Sequence, residues 1–323
     1  MKAALLINRD NFDMHSDWKD LDCEIVHLGG GNPDAERVIA TGADVLVVDA
    51  IMKIGPEIIE NMPGLRMIHS QGVGFNGIDI DSARRKNIYV CNNAGVNATP
   101  VAEQAVLLIL ALVKNFRYNE DMIYAGKQIE AKMSCFENGL AELCEFGVGI
   151  VGYGAIGKAL HALLKPFGCR VAYYDLTGDL SVPDAEYMPL EKLYAACDIV
   201  SLNIPVTPET VNMINDETLK LFKPGALLIN TARGELMDHE AVARAIISGR
   251  LGGLGTDTLA PEPVQPDNPL LTALPVELRP RVALSPHIGG VTSNTFKRAY
   301  VRIKKNIEAV ARGERPDCVV NGL

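Results

Sequence analysis

The sequence predicts an α/β protein built from two doubly wound parallel-sheet domains. Three observations lead there. Short apolar runs alternate with polar or amphipathic segments along nearly the whole chain, the pattern of parallel sheets covered on both faces. At 323 residues the chain exceeds what one hydrophobic core normally fills, so two cores are expected. Residues 146–175 then read as strand, glycine turn, helix and strand, the unit from which such sheets are wound.

In chain order, strand-like runs at 3–7, 24–28, 45–48, 65–69 and 88–91 are separated by helix-like stretches that include 33–40 and 56–61. Together they define a first domain at 1–98. A glycine-rich loop, 71–77, follows the fourth strand, on the edge where open parallel sheets bind ligands. Residues 99–115 (TPVAEQAVLLILALVKN) open with Thr99 and Pro100 as cap and first-turn proline, then turn almost wholly apolar after Gln104. A helix apolar all round is expected to be buried on all sides, as an interior connection or as a dimer contact. Residues 118–144 are more polar, lack a clear period and read as a helix end and loops. After Asp175, strands at 199–202, 226–230, 252–257 and 282–284 alternate with helices at 190–196, 216–221 and 238–248, giving a second domain at 99–290. The helical stretch 293–312 lies outside that alternation, so the segment 291–323 is expected to return to the first domain.

Within 146–175 the apolar run 148–151 opens onto Gly152, Gly154 and Gly157, and Ala155 and Ile156 begin an amphipathic segment that runs to 167. In such a turn one glycine permits the tight bend, the next lets backbone approach a pyrophosphate, and the third lets helix pack on strand. The helix start would hold the phosphates through its free N–H groups and dipole. Asp175 stands 18 positions beyond Gly157, near the offset of a carboxylate that binds an adenosine ribose 2′-hydroxyl. Leu176, Thr177 and Gly178 follow, with no nearby cation for a 2′-phosphate. These features predict a Rossmann domain that binds NAD rather than NADP.

Composition narrows the rest. An apolar share of 48% with 22% charged residues is that of an ordinary globular protein, and a net charge of −9 argues against a nucleic-acid or membrane-surface binder. Seven scattered cysteines without a CxxC pair read as reduced thiols, and no cluster resembles a metal site. The start, MKAALLINRD, carries too short an apolar run for a signal peptide, and no segment approaches a membrane span. A cytoplasmic location is therefore expected. His15, His27, His69, His161 and His239 have no partner pattern and read as structural or surface groups; Trp18 reads as a packing residue.

Three polar segments follow strands of the second domain: 231–234 with Arg233, 257–263 with Asp257 and Glu262, and 285–290 with His287. Hydride exchange between a nicotinamide and a carbonyl needs a proton donor for the new hydroxyl, a partner to hold that donor and a cation for a substrate carboxylate. His287 suits the first role because histidine titrates near neutrality. Glu262 suits the second by holding the other ring nitrogen, which keeps the imidazolium available to an alkoxide. Arg233 suits the third through bidentate carboxylate binding.

These motifs, GYGAIG with Asp175, NIPVTPET at 203–210, NTARGELMD at 230–238, DTLAPEP at 257–263 and SPHIGG at 285–290, resemble the D-isomer-specific 2-hydroxyacid dehydrogenases. SQGVGFNGID at 70–79 and VAE at 101–103 extend the resemblance over essentially the whole chain. It implies a flavodoxin-like substrate domain beside the Rossmann domain, with Arg233, Glu262 and His287 as the catalytic trio. It further implies that amides around Val73 and Gly74 hold the substrate carboxylate and that Asp257 meets the nicotinamide carboxamide. Pro205, Thr210, Thr231 and Ala232 match cofactor-lining positions, and Gly289 lies in the motif of His287. A homodimer through the region around 99–145 is also implied. Phosphoglycerate dehydrogenases of this kind have an arginine-serine phosphate reader where Asp49-Ala50-Ile51-Met52-Lys53 stands here, so Lys53 could only partly substitute. Formate dehydrogenases carry glutamine at the place of Glu262, which disfavours formate. Ile51 and Met52 favour a small or moderately apolar 2-oxoacid. The function expected is NAD-dependent interconversion of a D-2-hydroxyacid and its 2-oxoacid. The alternatives are a dinucleotide-sensing, corepressor-like regulator and a dehydrogenase of a phosphorylated hydroxyacid such as 3-phosphoglycerate.

Overall fold

The computed structural model describes residues 1–31 and 34–323. The chain divides into two compact units, residues 1–97 with 291–323 and residues 98–290. The first unit begins β1 (Lys2–Leu6), α1 (Arg9–His15), β2 (Glu24–His27), α2 (Ala35–Ala40) and β3 (Val45–Val48). It continues α3 (Pro56–Ile59), β4 (Met67–Ser70), α4 (Ile80–Arg85) and β5 (Tyr89–Cys91). Its strands lie parallel in the order β2-β1-β3-β4-β5, the flavodoxin-like order. Alternate residues of each strand serve two separate cores, as a sheet buried on both faces requires. Ala4, Leu6, Leu46, Val48, Ile68 and Val90 pack on one face. Ala3, Leu5, Ile7, Val45, Val47 and Met67 pack on the other. The helix expected at 33–40 begins at Ala35 and is capped by Asp34, whose side chain accepts from the Glu36 amide; Pro33 lies outside the described residues. The short helices α1 and α4 were not legible, because each fully buries only one apolar side chain, Phe12 in the first and Ala83 in the second.

The second unit opens with α5 (Ala98–Val113), α6 (Phe116–Tyr124), α7 (Gln128–Asn138) and β6 (Gly147–Val151). It continues α8 (Ala155–Leu164), β7 (Arg170–Tyr174), β8 (Ala185–Tyr187), α9 (Leu190–Ala196) and β9 (Ile199–Leu202). It closes with α10 (Asp216–Leu219), β10 (Ala226–Asn230), α11 (His239–Ile247), β11 (Leu251–Thr256), α12 (Pro269–Thr272) and β12 (Val282–Leu284). All seven strands are parallel, in the order β12-β11-β10-β9-β6-β7-β8. Strand order reverses between β6 and β9, the switch point where a doubly wound sheet leaves a crevice beyond its carboxyl ends.

Three expectations for this unit need correction. Thr99 does not cap α5, which already begins at Ala98. Nor is α5 buried all round: Val101, Ala102, Ala105, Leu108, Ile109, Leu112 and Val113 form a buried stripe, while Leu107 is 58% exposed. Residues 118–144 are mostly helical, in α6 and α7, rather than loops. Their apolar residues do follow helical spacing, as in Ile129, Met133 and Phe136, but these point outward among charged neighbours, so no core-facing stripe marks the helices. Among the described residues no single helix is long and apolar enough to cross a membrane; only α5 and α6 taken together pass by length and composition, and they are bent by 62°.

The last helix, α13 (Ser293–Ala311), belongs to the first unit. Tyr300, Ile303, Ile307 and Val310, at helical spacing, enter the same core as Ala3, Leu5, Phe12 and Trp18. Burying each such side chain contributes about 1.5–3 kcal/mol. Trp18 donates its Nε1–H to the Tyr300 carbonyl at 3.0 Å, so the packing residue is also tied by a buried hydrogen bond. His69, wholly buried in β4, donates from Nδ1 to the Ser70 carbonyl at 2.8 Å and accepts at Nε2 from Asn306 Nδ2 at 3.0 Å. The Asn306 amide is fixed in that orientation because its Oδ1 accepts from the Asp317 N–H at 2.9 Å.

Candidate active site

The polar groups of the second unit converge at the carboxyl ends of β10, β11 and β12. Arg233 follows β10. Asn230, the last residue of that strand, folds the turn by accepting the Ala232 amide at 3.0 Å and donating Nδ2 to the Arg233 carbonyl at 2.8 Å. Gly234 lets this turn lie against the next one: a Cβ there would sit 2.4 Å from the backbone of Leu259 and Ala260. The Arg233 guanidinium is half-buried and donates to the Ala232 carbonyl at 2.7 Å, and it forms no ion pair among the described residues.

Glu262 follows β11 between two cis peptides, Ala260–Pro261 and Glu262–Pro263. Both of its carboxylate oxygens lie 2.8 Å from His287 Nδ1, leaving Nε2 without a partner among the described residues. His287 is held by its backbone. It adopts φ +56, a left-handed conformation that a residue with a Cβ takes only where its surroundings enforce it. Asp257 enforces it. Its carbonyl accepts the His287 amide at 2.8 Å, and its buried carboxylate accepts the Ile288 amide at 3.0 Å, the Gly289 amide at 2.8 Å and the Ser285 hydroxyl. Gln104 on α5 donates to Ser285 Oγ at 2.9 Å, extending the network into the helix. Gly289 has to be small here, since a Cβ would come within 2.9 Å of Asp257 Oδ2. Sequence reasoning missed the supports Asn230, Gln104 and Ser285; the only local signal was an asparagine beginning a turn at a strand end.

A family model for the NAD binding domain of D-isomer specific 2-hydroxyacid dehydrogenases matches residues 106–289. The chain belongs to that family. It is accordingly an NAD-dependent D-2-hydroxyacid dehydrogenase. A glyoxylate reductase of Pyrococcus furiosus is 35% identical over 283 residues, which is 86% of this chain and 82% of that protein. The structure of D-2-hydroxyisocaproate dehydrogenase is similar with a TM-score of 0.85 and 27% identity, covering 100% of both chains. That of D-lactate dehydrogenase from Aquifex aeolicus, complexed with NAD and lactic acid, has a TM-score of 0.80 at 28% identity, covering 97% of this chain and 96% of that one.

The residues of this dehydrogenase fit a dinucleotide. Gly152, at φ +92 after β6, would bring a Cβ within 2.6 Å of the Asn203 carbonyl across the switch point. Gly157 would bring one within 2.3 Å of the Gly152 carbonyl, so α8 packs closely on the turn. Gly154 is different: a Cβ there meets nothing within 4 Å, and the start of α8, formed by Ala155 and Ile156, has no side-chain cap. Asp175 accepts from the Tyr153 amide at 2.9 Å and from the Thr177 amide and hydroxyl. The Thr177 hydroxyl above all, with these amides, holds its carboxyl below the usual range, so it stays ionised. Three buried polar atoms beyond neighbouring strands have no partner among the described residues: Asn203 Oδ1, Thr231 Oγ1 and Thr258 Oγ1. Unpaired buried groups are costly, and these mark where polar ligand atoms can be received. Ala232 is buried beside Thr231, while Thr210 closes its own loop by donating to the Pro205 carbonyl at 2.9 Å.

In the first unit Val73 and Gly74 lie on the loop between β4 and α4. Lys53 is exposed and lines a shallow depression with Gly55, Asn76, Gly77 and Asp79. Met52 is buried in the core, 3% exposed, and so is removed from any substrate, whereas Ile51 is 85% exposed. The preference for a moderately apolar substrate that was read from Met52 therefore has no support from that side chain.

Proposed function

We propose that the enzyme reduces a small 2-oxoacid of the glyoxylate class, with His287 as proton donor, Glu262 as the group that holds it and Arg233 as the carboxylate anchor. One observation carries this reading: His287 Nδ1 is engaged by both Glu262 oxygens at 2.8 Å, which leaves Nε2 as the ring's outward nitrogen. NAD in its reduced form supplies the hydride. His287 Nε2–H then gives a proton to the oxygen of the nascent hydroxyl, and the Glu262 carboxylate stabilises the imidazolium before transfer. Arg233, unpaired with any acidic side chain among the described residues, grips the substrate carboxylate and polarises the adjacent carbonyl. In the first unit we assign the amides of Val73 and Gly74 to a substrate carboxylate and Lys53 to substrate.

For the cofactor, Gly154, Ala155, Ile156 and Gly157 receive the pyrophosphate and Asp175 the adenosine ribose. Pro205, Thr210, Thr231, Ala232 and Gly289 line the remainder. Asp257 has about four acceptor positions, of which three are occupied among the described residues, and we assign the fourth to the nicotinamide carboxamide. We assign residues 1–98 with the returning segment 291–323 to substrate and 99–290 to NAD. We assign the outward apolar side chains of α6 and α7 to a homodimer contact, and the cytoplasm as the location.

A panel of 2-oxoacids, including glyoxylate, pyruvate and a phosphorylated analogue, scored by kcat/KM with NADH and NADPH, tests the reading. Glyoxylate with NADH is expected to lead. His287→Ala should keep NADH binding while turnover falls about 10²-fold or more. Undiminished turnover overturns the role of His287, and NADH binding without reduction of any oxoacid points instead to a dinucleotide sensor.

A further inference from the structure

The loop between β4 and α4 shows an unusual division of its hydrogen bonds. Five consecutive carbonyls, those of Ser70 to Gly74, are all occupied. His69 Nδ1 and Asn93 Nδ2 donate to Ser70, and Asn93 Nδ2 donates to Gln71 at 2.9 Å. The Asn93 amide donates to Gly72 at 2.9 Å, Asn92 Nδ2 to Val73 at 2.8 Å, and Ser70 Oγ to Gly74 at 2.6 Å. In contrast, the amides of Val73, Gly74 and Phe75 donate to no group among the described residues. The two facts are one geometry. In a trans peptide the C=O and the following N–H point in opposite directions, so a carbonyl pinned inward turns the next amide outward. Pinning Gly72, Val73 and Gly74 aims the amides of Val73, Gly74 and Phe75, and successive outward N–H groups form an anion-binding concavity.

Two side chains, Asn92 on Val73 and Ser70 on Gly74, and the Asn93 backbone amide on Gly72 do this work, while the Asn93 side chain holds the start of the loop at Ser70 and Gln71. Asn92 and Asn93 follow β5 and are 4% and 0% exposed, and Ser70 ends β4, also 0% exposed. Asn92 is further fixed by accepting the Ala94 amide on Oδ1 at 3.2 Å, and its own amide donates to the Cys318 carbonyl of the C-terminal segment at 3.2 Å. Ser70 Oγ accepts the Gly72 amide at 3.3 Å, so its proton is committed to Gly74. Asn93 Oδ1 is buried and unpaired among the described residues, a cost borne while its side-chain and backbone N–H groups serve the loop.

We propose that Ser70, Asn92 and Asn93 are positioning residues that preform the carboxylate receptor, and that the receptor includes a third donor, the Phe75 amide. The inference rests on the reading that Val73 and Gly74 receive the substrate carboxylate. It explains how a loop with three glycines, 72, 74 and 77, can be rigid enough to hold a substrate: its shape is imposed by three buried polar residues at two strand ends.

The test compares wild type with Ser70→Ala, Asn92→Ala and Asn92→Asp. The last keeps the acceptor for Ala94 but puts a charged acceptor in place of the donor to Val73, so Asn92→Ala is the variant that removes the donor without adding charge. Steady-state reduction of glyoxylate is measured beside calorimetric binding of oxamate, a non-reducible 2-oxoacid mimic, to the NADH complex. Loss of an aimed amide should raise KM for glyoxylate and Kd for oxamate about 10- to 100-fold, with a much smaller change in kcat and unchanged NADH affinity. Ser70→Thr, which keeps the hydroxyl, should restore most of the affinity. Folded variants that bind oxamate as tightly as wild type overturn the proposal, as does an equal loss of NADH affinity. If wild type binds oxamate but reduces no oxoacid, the catalytic reading fails while the variants still decide the clamp; if it does neither, both fail.

Discussion

His69 makes the acid stability of the first unit a measurable consequence of one tautomer. Its ring has no exposed surface, and burial pushes it from the ordinary 6.5 down to about 4. The hydrogen bonds explain why a proton is not accommodated: Nε2, the ring's one acceptor, already receives the Asn306 amide, itself locked by Asp317. As pH falls, the unfolded chain takes up the proton first, near 6.5, and the folded chain only near 4. Stability from this group is therefore fully present above about 6.5 and is lost as pH falls toward 4. Between about pH 7.5 and about pH 5 the linkage relation gives a loss of about 2 kcal/mol from this residue alone. His69→Gln, neutral throughout, lacks that term. Urea melts of both proteins across that range, followed by Trp18 fluorescence, measure the difference, because Trp18 is the chain's only tryptophan and sits in the first unit's core. The variant is expected to start less stable and to lose less on acidification. Parallel losses in the two proteins would refute the role of His69.

Other consequences can be checked as directly. Gly157→Ala places a methyl 2.3 Å from the Gly152 carbonyl, so it should cost about 1–3 kcal/mol and weaken NADH at least tenfold, read by thermal melting and fluorescence titration. Asp257→Ala leaves the Ile288 and Gly289 amides and the Ser285 hydroxyl unpaired; kcat is expected to fall about 10²-fold while the fold persists by circular dichroism. Replacing Ile129, Met133 and Phe136 by glutamate should shift a dimer toward monomer in sedimentation, without loss of the far-ultraviolet spectrum. Unchanged mass would remove the α7 face from the proposed contact.

Most of the fold was legible because buried parallel strands are written as apolar runs. VLVV at 45–48 and ALLIN at 226–230 needed nothing more, since both faces of each strand enter a core. Legibility fails where burial is partial. Strand β8 is an exposed Glu186 between two half-buried residues at a sheet edge, and α6 buries no side chain in this chain, so neither leaves a periodic imprint. The site divides similarly. Arg233, Glu262 and His287 stand out as polar residues just past strands, whereas several of the residues that shape the two loops act over distance. Asn92 reaches Val73 across 19 positions and Gln104 reaches Ser285 across 181, and no local pattern encodes such pairs.

The return of α13 reverses the order in which the chain can mature. Trp18 and Tyr300 share one core and one hydrogen bond although 282 positions separate them. A ribosome emitting this polypeptide delivers the amino-terminal sheet first, yet that sheet keeps an apolar face, with Leu5, Val45 and Met67, uncovered until the final helix emerges. Residues 98–290, contiguous in sequence, suffer no such delay. The segment translated second can thus become native first, and the nascent amino-terminal third waits as a candidate client for chaperones throughout synthesis.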